Sequence, residues 1–197
     1  LDVIHSLNEN EKVGGTGFLQ NMPNGTNISH RELIRYMIVD SDNTATNIMI
    51  DALGGFNPIN EEILRLGCNE THLNRKMLDT QALANGIDNY ISVNDAGNIL
   101  KKLYTHTLIS ELDDAEMLRI LSENNNHNKL PALLPSDVTV YNKTGEYNDY
   151  GVQNDIAIIE NGKGAFVVTV LSQNGIEREQ VAMMNQLGQQ LYMELLG

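Results

Sequence analysis

The chain has 197 residues, 41 % of them hydrophobic, with a formal charge of −13 from 26 acidic and 13 basic residues. That length and apolar content support the buried core of one large domain or two small ones. The acidic excess and the absence of a basic patch argue against nucleic acid as a partner, because phosphate affinity comes from clustered Lys and Arg. The longest apolar run, AFVVTVL, is strand-sized and too short for a membrane span.

One cysteine, Cys68, excludes an intramolecular disulfide and a cysteine-based zinc site, and reads as a small, partly buried hydrophobe. The five histidines are scattered without ligand spacing, so no metal is expected. Residue 1 is Leu and the sequence shows no signal peptide, which predicts that the chain begins inside a longer product or that its start was removed.

Residues 1–28 are turn-rich and carry little periodicity. Ser29 with Glu32 forms a capping box that opens a helix through RELIRYMI. Asp40 to Asn43 interrupts it, and a second helix runs through TATNIMIDAL to the Gly54–Gly55 stop. A third starts at Asn57 with Pro58 as its first residue and ends at Gly67. Residues 68–91 read as irregular and polar. Ser92 with Asp95, and Ser110 with Asp113, start two more helices, and SENNNHN reads as a solvated loop.

After Pro135 the period changes to two. VTVYNK, VQNDIAIIE and GAFVVTVLSQ read as strands, the last two joined at Asn161–Gly162. The final stretch has apolar residues at helical spacing and is expected to lay Val181, Met184, Leu187 and Leu191 on the sheet. The predicted class is α+β: a helical block over 1–135, then over 136–197 a short antiparallel sheet covered by a C-terminal helix.

The stretch VDSDNTATN, 39–47, invites three readings. As a calcium loop it fails: the sixth position is Ala45 instead of Gly, the ninth is Ile48, and the twelfth is Asp51. As a helix cap it is ordinary, since Ser41, Asp42 and Asn43 can all accept bonds from helix N–H groups. Gly14–Gly15–Thr16–Gly17 lacks the Lys-Ser or Lys-Thr of a phosphate cradle and reads as a loop. The third reading depends on Lys143-Thr144-Gly145, which closes the first predicted strand about a hundred residues later.

Ser-Asp-Asn between two helices followed by Lys-Thr-Gly on a strand resembles class A β-lactamases and penicillin-binding proteins. The likeness extends through GTGFLQNMPNGTNISHRELIRYMIVDSDNTATNIMIDALGG, LGCNETHLNRKMLD and NKLPALLPSDVTVYNKTG, in order. It implies one β-lactamase-like domain over 1–197, N-terminally incomplete, and a serine hydrolase that opens β-lactam amides, or acts on peptidoglycan-type peptides, through an acyl-enzyme. Ser41 would relay a proton to the leaving nitrogen, and Lys143 would hold Ser41 and attract an anion. Asn43 would bond the substrate's side-chain amide, and Thr144 its carboxylate. Gly145 would permit close approach of substrate, and the Glu146 N–H would serve the oxyanion. No cofactor is implied. The family works outside the cytoplasmic membrane.

Two departures stand out. The family's deacylating Glu follows a Thr-x-Leu-x-Arg segment, here Thr71 to Arg75, and its position falls on Met77. Glu70 lies too early, and Asp79 is the nearest carboxylate that could substitute. None of the eight serines has Lys three residues on. The nucleophile is therefore expected upstream, together with two N-terminal strands, and these residues alone are expected to be inactive. The edge strand 164–173 would then pair with that N-terminal segment or with a second chain. A slowly deacylating penicillin-binding-protein-like D,D-peptidase or transpeptidase, a glutaminase relative, and a non-catalytic binding module remain open beside the hydrolase.

Overall fold

The computed structural model describes all 197 residues, which divide into two compact units, Leu1–Ile91 and Ser92–Gly197. In the first unit, β1 (Ile4–Ser6) and β2 (Asn27–Ser29) form an antiparallel pair that the turn-rich sequence does not advertise. Then follow α1 (His30–Val39), α2 (Asn43–Ala52), α3 (Phe56–Arg65) and the short α4 (Thr80–Ala84).

The capping box is present: Ser29 Oγ accepts the Glu32 N–H at 3.2 Å, and the Ser29 N–H donates to Glu32 Oε2 at 2.8 Å. Two orphan donors at the start of α1 are thereby satisfied. Leu7, Leu19, Ile28, Leu33, Ala45, Ile48 and Met49 form the core beneath α1 and α2. Leu33 is wholly buried, so Leu33→Ala would cost about 2–5 kcal/mol. Helix α3 begins two residues earlier than the sequence suggests, at Phe56 instead of Pro58, with Gly55 as its cap. Pro58 is then the third helical residue, still within the first turn, where its missing N–H has no helical acceptor. Cys68 is fully buried beyond the end of α3.

In the second unit, α5 (Val93–Tyr104) and α6 (Glu111–Ser122) begin at the expected caps, with Ser92 and Ser110 accepting the Asp95 and Asp113 amides at 3.1 Å. Three antiparallel strands follow: β3 (Thr139–Tyr147), β4 (Val152–Asn161) and β5 (Gly164–Ser172), in that spatial order. Strand β3 runs past the Lys-Thr-Gly triplet, which lies inside the strand and not at its end. Lys143 faces Ile156, Thr144 faces Asp155, and Gly145 faces Asn154. The β4–β5 turn is Gly162–Lys163, one residue later than expected, because Asn161 still pairs with Gly164.

Helix α7 (Glu177–Leu195) packs on the sheet around Leu130, Ala157, Ile159, Val168, Met184 and Leu196. Its buried line is Gln180, Met184 and Gly188; of the residues expected on the sheet, Met184 is buried, Leu191 packs against this core and Val181 is half-buried, whereas Leu187 is 38 % exposed. A Cβ at Gly188 would overlap the Leu130 carbonyl, so the helix makes a close approach there at a residue with no side chain, and Leu187 beside it is left outward.

Candidate active site

In the first unit, the Ser-Asp-Asn turn is built from the end of α1. The Tyr36 carbonyl accepts both the Asp40 and the Asp42 N–H at 3.1 Å, which closes the helix with Ser41 between them at φ 50°. A left-handed serine costs about 1–2 kcal/mol, and such strain persists only where the surroundings enforce it. They do so here. Asp42, 1 % exposed, caps α2 through Oδ1 to the Ala45 N–H and accepts the Leu19 N–H on Oδ2, each at 2.9 Å.

The Gly-Gly-Thr-Gly segment, expected to be a plain loop, supports this turn. Thr16 Oγ1 donates to the Ser41 carbonyl at 2.6 Å, and the Asn43 N–H donates to the Thr16 carbonyl at 3.3 Å. Asn43 Nδ2 reaches the Gly14 carbonyl at 3.2 Å. Thr44 Oγ1 accepts the Val13 N–H at 3.0 Å. Gly17, at φ 104°, lies where any Cβ would run into Asp42. The structure thus brings Ser41 and Asn43 together on one rigid turn.

Residues 68–91, expected to be irregular, hold the short helix α4 and are otherwise irregular in path yet tightly stapled. His72 and Tyr90 pair as an isolated bridge, and Arg75 Nε donates to Asp88 at 2.8 Å. Asn60 bonds both the N–H and the carbonyl of Leu73 at 2.8 Å. Asn47, buried on α2, does the same for Met77, at 2.8 and 3.1 Å. Asp79 is exposed and caps α4, its Oδ1 accepting the Ala82 N–H at 2.9 Å.

In the second unit, Lys143, Thr144, Gly145 and Glu146 lie consecutively on β3. Lys143 Nζ donates to the Thr144 carbonyl at 2.8 Å. Burial pushes the ammonium down to about 8; the Glu146 carboxylate opposes that shift, Lys129 adds to it, and Asp155 opposes it. Gly145 is not required by backbone conformation, and a Cβ there would meet Asn154 only at ordinary contact, 3.8 Å. Within this unit, then, neither strain nor crowding explains the glycine.

Sequence reading missed the groups beneath this strand. Lys129 has no exposed surface, and its ammonium donates to the carbonyls of Gly145 at 3.3 Å and Asn154 at 3.1 Å, with Glu146 Oε1 3.5 Å away. Asp155 accepts the Leu130 N–H at 3.0 Å and Asn142 Nδ2 at 3.1 Å, and burial raises its carboxyl to about 6. The tract expected to be a solvated loop docks on β3. Asn124 Nδ2 donates to the Asn142 carbonyl at 2.9 Å, Asn142 Nδ2 donates to the Asn126 carbonyl at 3.0 Å, and Asn126 Nδ2 donates to Thr144 Oγ1 at 3.1 Å. A polar run beside a predicted strand was the one signal available.

A helical block with an antiparallel sheet, a Ser-Asp-Asn turn between helices and a Lys-Thr-Gly strand define the β-lactamase and penicillin-binding-protein fold. The chain belongs to the beta-lactamase enzyme family, whose family model matches residues 1–195. Beta-lactamase ROB-1 of Haemophilus influenzae is 34 % identical over 138 residues, covering 68 % of this chain and 45 % of that protein. The extended-spectrum beta-lactamase PER-1 of Pseudomonas aeruginosa is 27 % identical over 139 residues, covering 66 % of this chain and 44 % of that protein. The chain therefore spans about half the length of these relatives. Among solved structures, a beta-lactamase from Sphaerobacter thermophilus superposes with a TM-score of 0.88 at 25 % identity, covering 98 % of this chain and 73 % of that one. PBP-A has the same TM-score, 0.88, at 23 % identity, over 98 % of this chain and 71 % of its own.

Proposed function

We propose that the protein is a serine hydrolase that opens β-lactam amides by acylation followed by hydrolysis of the acyl-enzyme. The observation that carries this reading is that both motifs keep a built local geometry: the enforced Ser41 turn and the partly buried Lys143 ammonium on β3. A serine supplied from outside these 197 residues attacks the lactam carbonyl, and the C–N bond breaks as Ser41 passes a proton to the departing nitrogen. Asn43 bonds the substrate's side-chain amide, Thr144 and Lys143 its carboxylate, and the Glu146 N–H the developing oxyanion. Gly145 leaves the strand bare for the approach.

The 197 residues alone are inactive on this reading, because Ser41 has no Lys three residues on to activate it. The outer edge of β5 is paired by a further segment of the polypeptide or by a second chain. The protein works outside the cytoplasmic membrane, as its family implies; no helix is long and apolar enough to cross a membrane.

One specific observation favours a slowly deacylating variant of the same chemistry. Met77 occupies the position of the family's hydrolytic Glu, and Asp79 has one carboxylate oxygen on the Ala82 N–H. A fold neighbour, a PBP-A variant, is described as an acyl-enzyme complex with penicillin G.

Labelling of the complete protein with a fluorescent penicillin tests the proposal. Lys143→Ala is expected to abolish labelling with little change in melting temperature. Labelling that survives the substitution would remove Lys143 from the site.

A further inference from the structure

Thr144 is 5 % exposed, and its hydroxyl has one proton to give. Asn126 Nδ2 donates to Thr144 Oγ1 at 3.1 Å, so the hydroxyl is already an acceptor on that side. Its proton must then point elsewhere. The other asparagine bonds make this contact unnecessary for docking the tract. Asn124 and Asn142 already tie it to β3 through the Asn142 and Asn126 carbonyls, and the Asn126 N–H is held by Asn124 Oδ1 at 2.8 Å. The Asn126 side chain adds one bond, aimed at one hydroxyl.

We propose that Asn126 is a positioning residue that fixes the Thr144 hydroxyl as a hydrogen-bond donor toward the carboxylate of the ligand. The Lys143 ammonium, bonded to the Thr144 carbonyl at 2.8 Å, supplies the charge beside it. An unconstrained threonine hydroxyl can turn its proton to any nearby acceptor. With Asn126 occupying one lone pair, the donor orientation is set before the anion arrives, the kind of preorganisation that strengthens binding without a new contact. The inference rests on the function proposed above, and on Thr144 in particular.

The test compares acylation of the complete protein by a penicillin and by its carboxylate methyl ester. Asn126→Asp replaces the amide donor by an acceptor that takes the threonine proton for itself. Since hydrogen bonds to charged groups contribute about 1.5–3 kcal/mol, the rate constant for the free acid is expected to fall about 10- to 100-fold. The rate for the ester should change little. Repeating the substitution in a Thr144→Val background separates orientation from simple charge repulsion. If Asn126 acts through the hydroxyl, its effect disappears there, whereas Thr144→Ser keeps it. Asn126→Leu, which adds no charge, should give a smaller loss in the same direction. A loss equal for acid and ester, or one that persists in Thr144→Val, overturns the role of Asn126 while leaving the proposed function standing. If the unsubstituted protein is not labelled by the penicillin at all, the functional reading falls and this inference with it.

Discussion

On the proposed function Lys143 has to be charged to attract an anion, yet its surroundings work against the charge. Burial is the largest cause, and the lowered value, about 8, lies close to the pH at which such a protein would be assayed. The consequence is a pair of pH effects with opposite signs. Above about 8 the folded protein loses the Lys143 proton, and affinity for a carboxylate-bearing substrate should drop about tenfold per further pH unit. Stability moves the other way. The unfolded chain, with an ordinary lysine, still holds that proton between about 8 and 10.5, so this group's contribution to stability rises over the same window. Lys143→Arg, always charged, should remove the alkaline loss of binding. Acylation rates and denaturant midpoints from pH 7 to 10 check both signs. Parallel loss of the two would mean general alkaline unfolding and not the titration of one buried amine.

At the scale of elements, the irregular part of 68–91 that precedes α4 is held as a helix is held, through its backbone polar groups, but with side-chain amides supplying the partners. Asn47 closes on both polar atoms of the Met77 backbone. Asn47→Leu keeps the volume and removes both bonds, and should cost about 1–3 kcal/mol, read as a lower denaturant midpoint and faster proteolysis within 68–91. On the proposed function, the same segment bears on the lifetime of the acyl-enzyme. Without a carboxylate at Met77, hydrolysis forgoes general-base help of roughly 10²–10⁴-fold, so the penicilloyl ester of the complete protein should persist for minutes or longer by intact mass. Asp79→Asn preserves the α4 cap, since Asn caps as well as Asp, and should leave that lifetime unchanged. A lifetime lengthened a hundredfold would instead make Asp79 the base.

What could be seen in the sequence at this scale was whatever has a local cause. The caps at Ser29, Ser92 and Ser110 bond an amide three residues on, and the strands alternate with period two, so both leave a short-range pattern. The supports of the site do not. Thr16 reaches Ser41 across 25 positions and Asn126 reaches Thr144 across 18, and no periodicity links such pairs. Lys129 was missed for a related reason. Lysine is seldom fully buried, and the carbonyls of two paired strands together with the Glu146 carboxylate make its burial tolerable. The expected α7 face is kept at Met184 and Leu191, and Gly188, which lets the helix approach Leu130, carries no periodic apolar signal.

At the scale of the whole molecule, two properties pull in opposite directions. Strand β5 is nine residues long and pairs within the sheet with β4 alone, so its outer edge has no strand partner. Such an edge is a template for another strand, and β5 carries none of the prolines or central lysines that commonly blunt one. Against this stands the net charge of −13, which makes like chains repel. Salt decides which prevails. The Debye length shrinks from about 30 Å at 0.01 M to about 8 Å at 0.15 M, less than the width of two strands and their side chains, while the backbone bonds of an edge pairing are hardly screened. The 197-residue polypeptide should therefore sediment as a monomer at low ionic strength and associate increasingly as salt is raised, with the β5 amides gaining protection from hydrogen exchange in the associated form. A lysine introduced at Val167 should weaken the association at every salt concentration. Sedimentation velocity across a salt and concentration series is the measurement, and a folded, strictly monomeric species under all of those conditions would show that the outer edge of β5 is not a pairing surface.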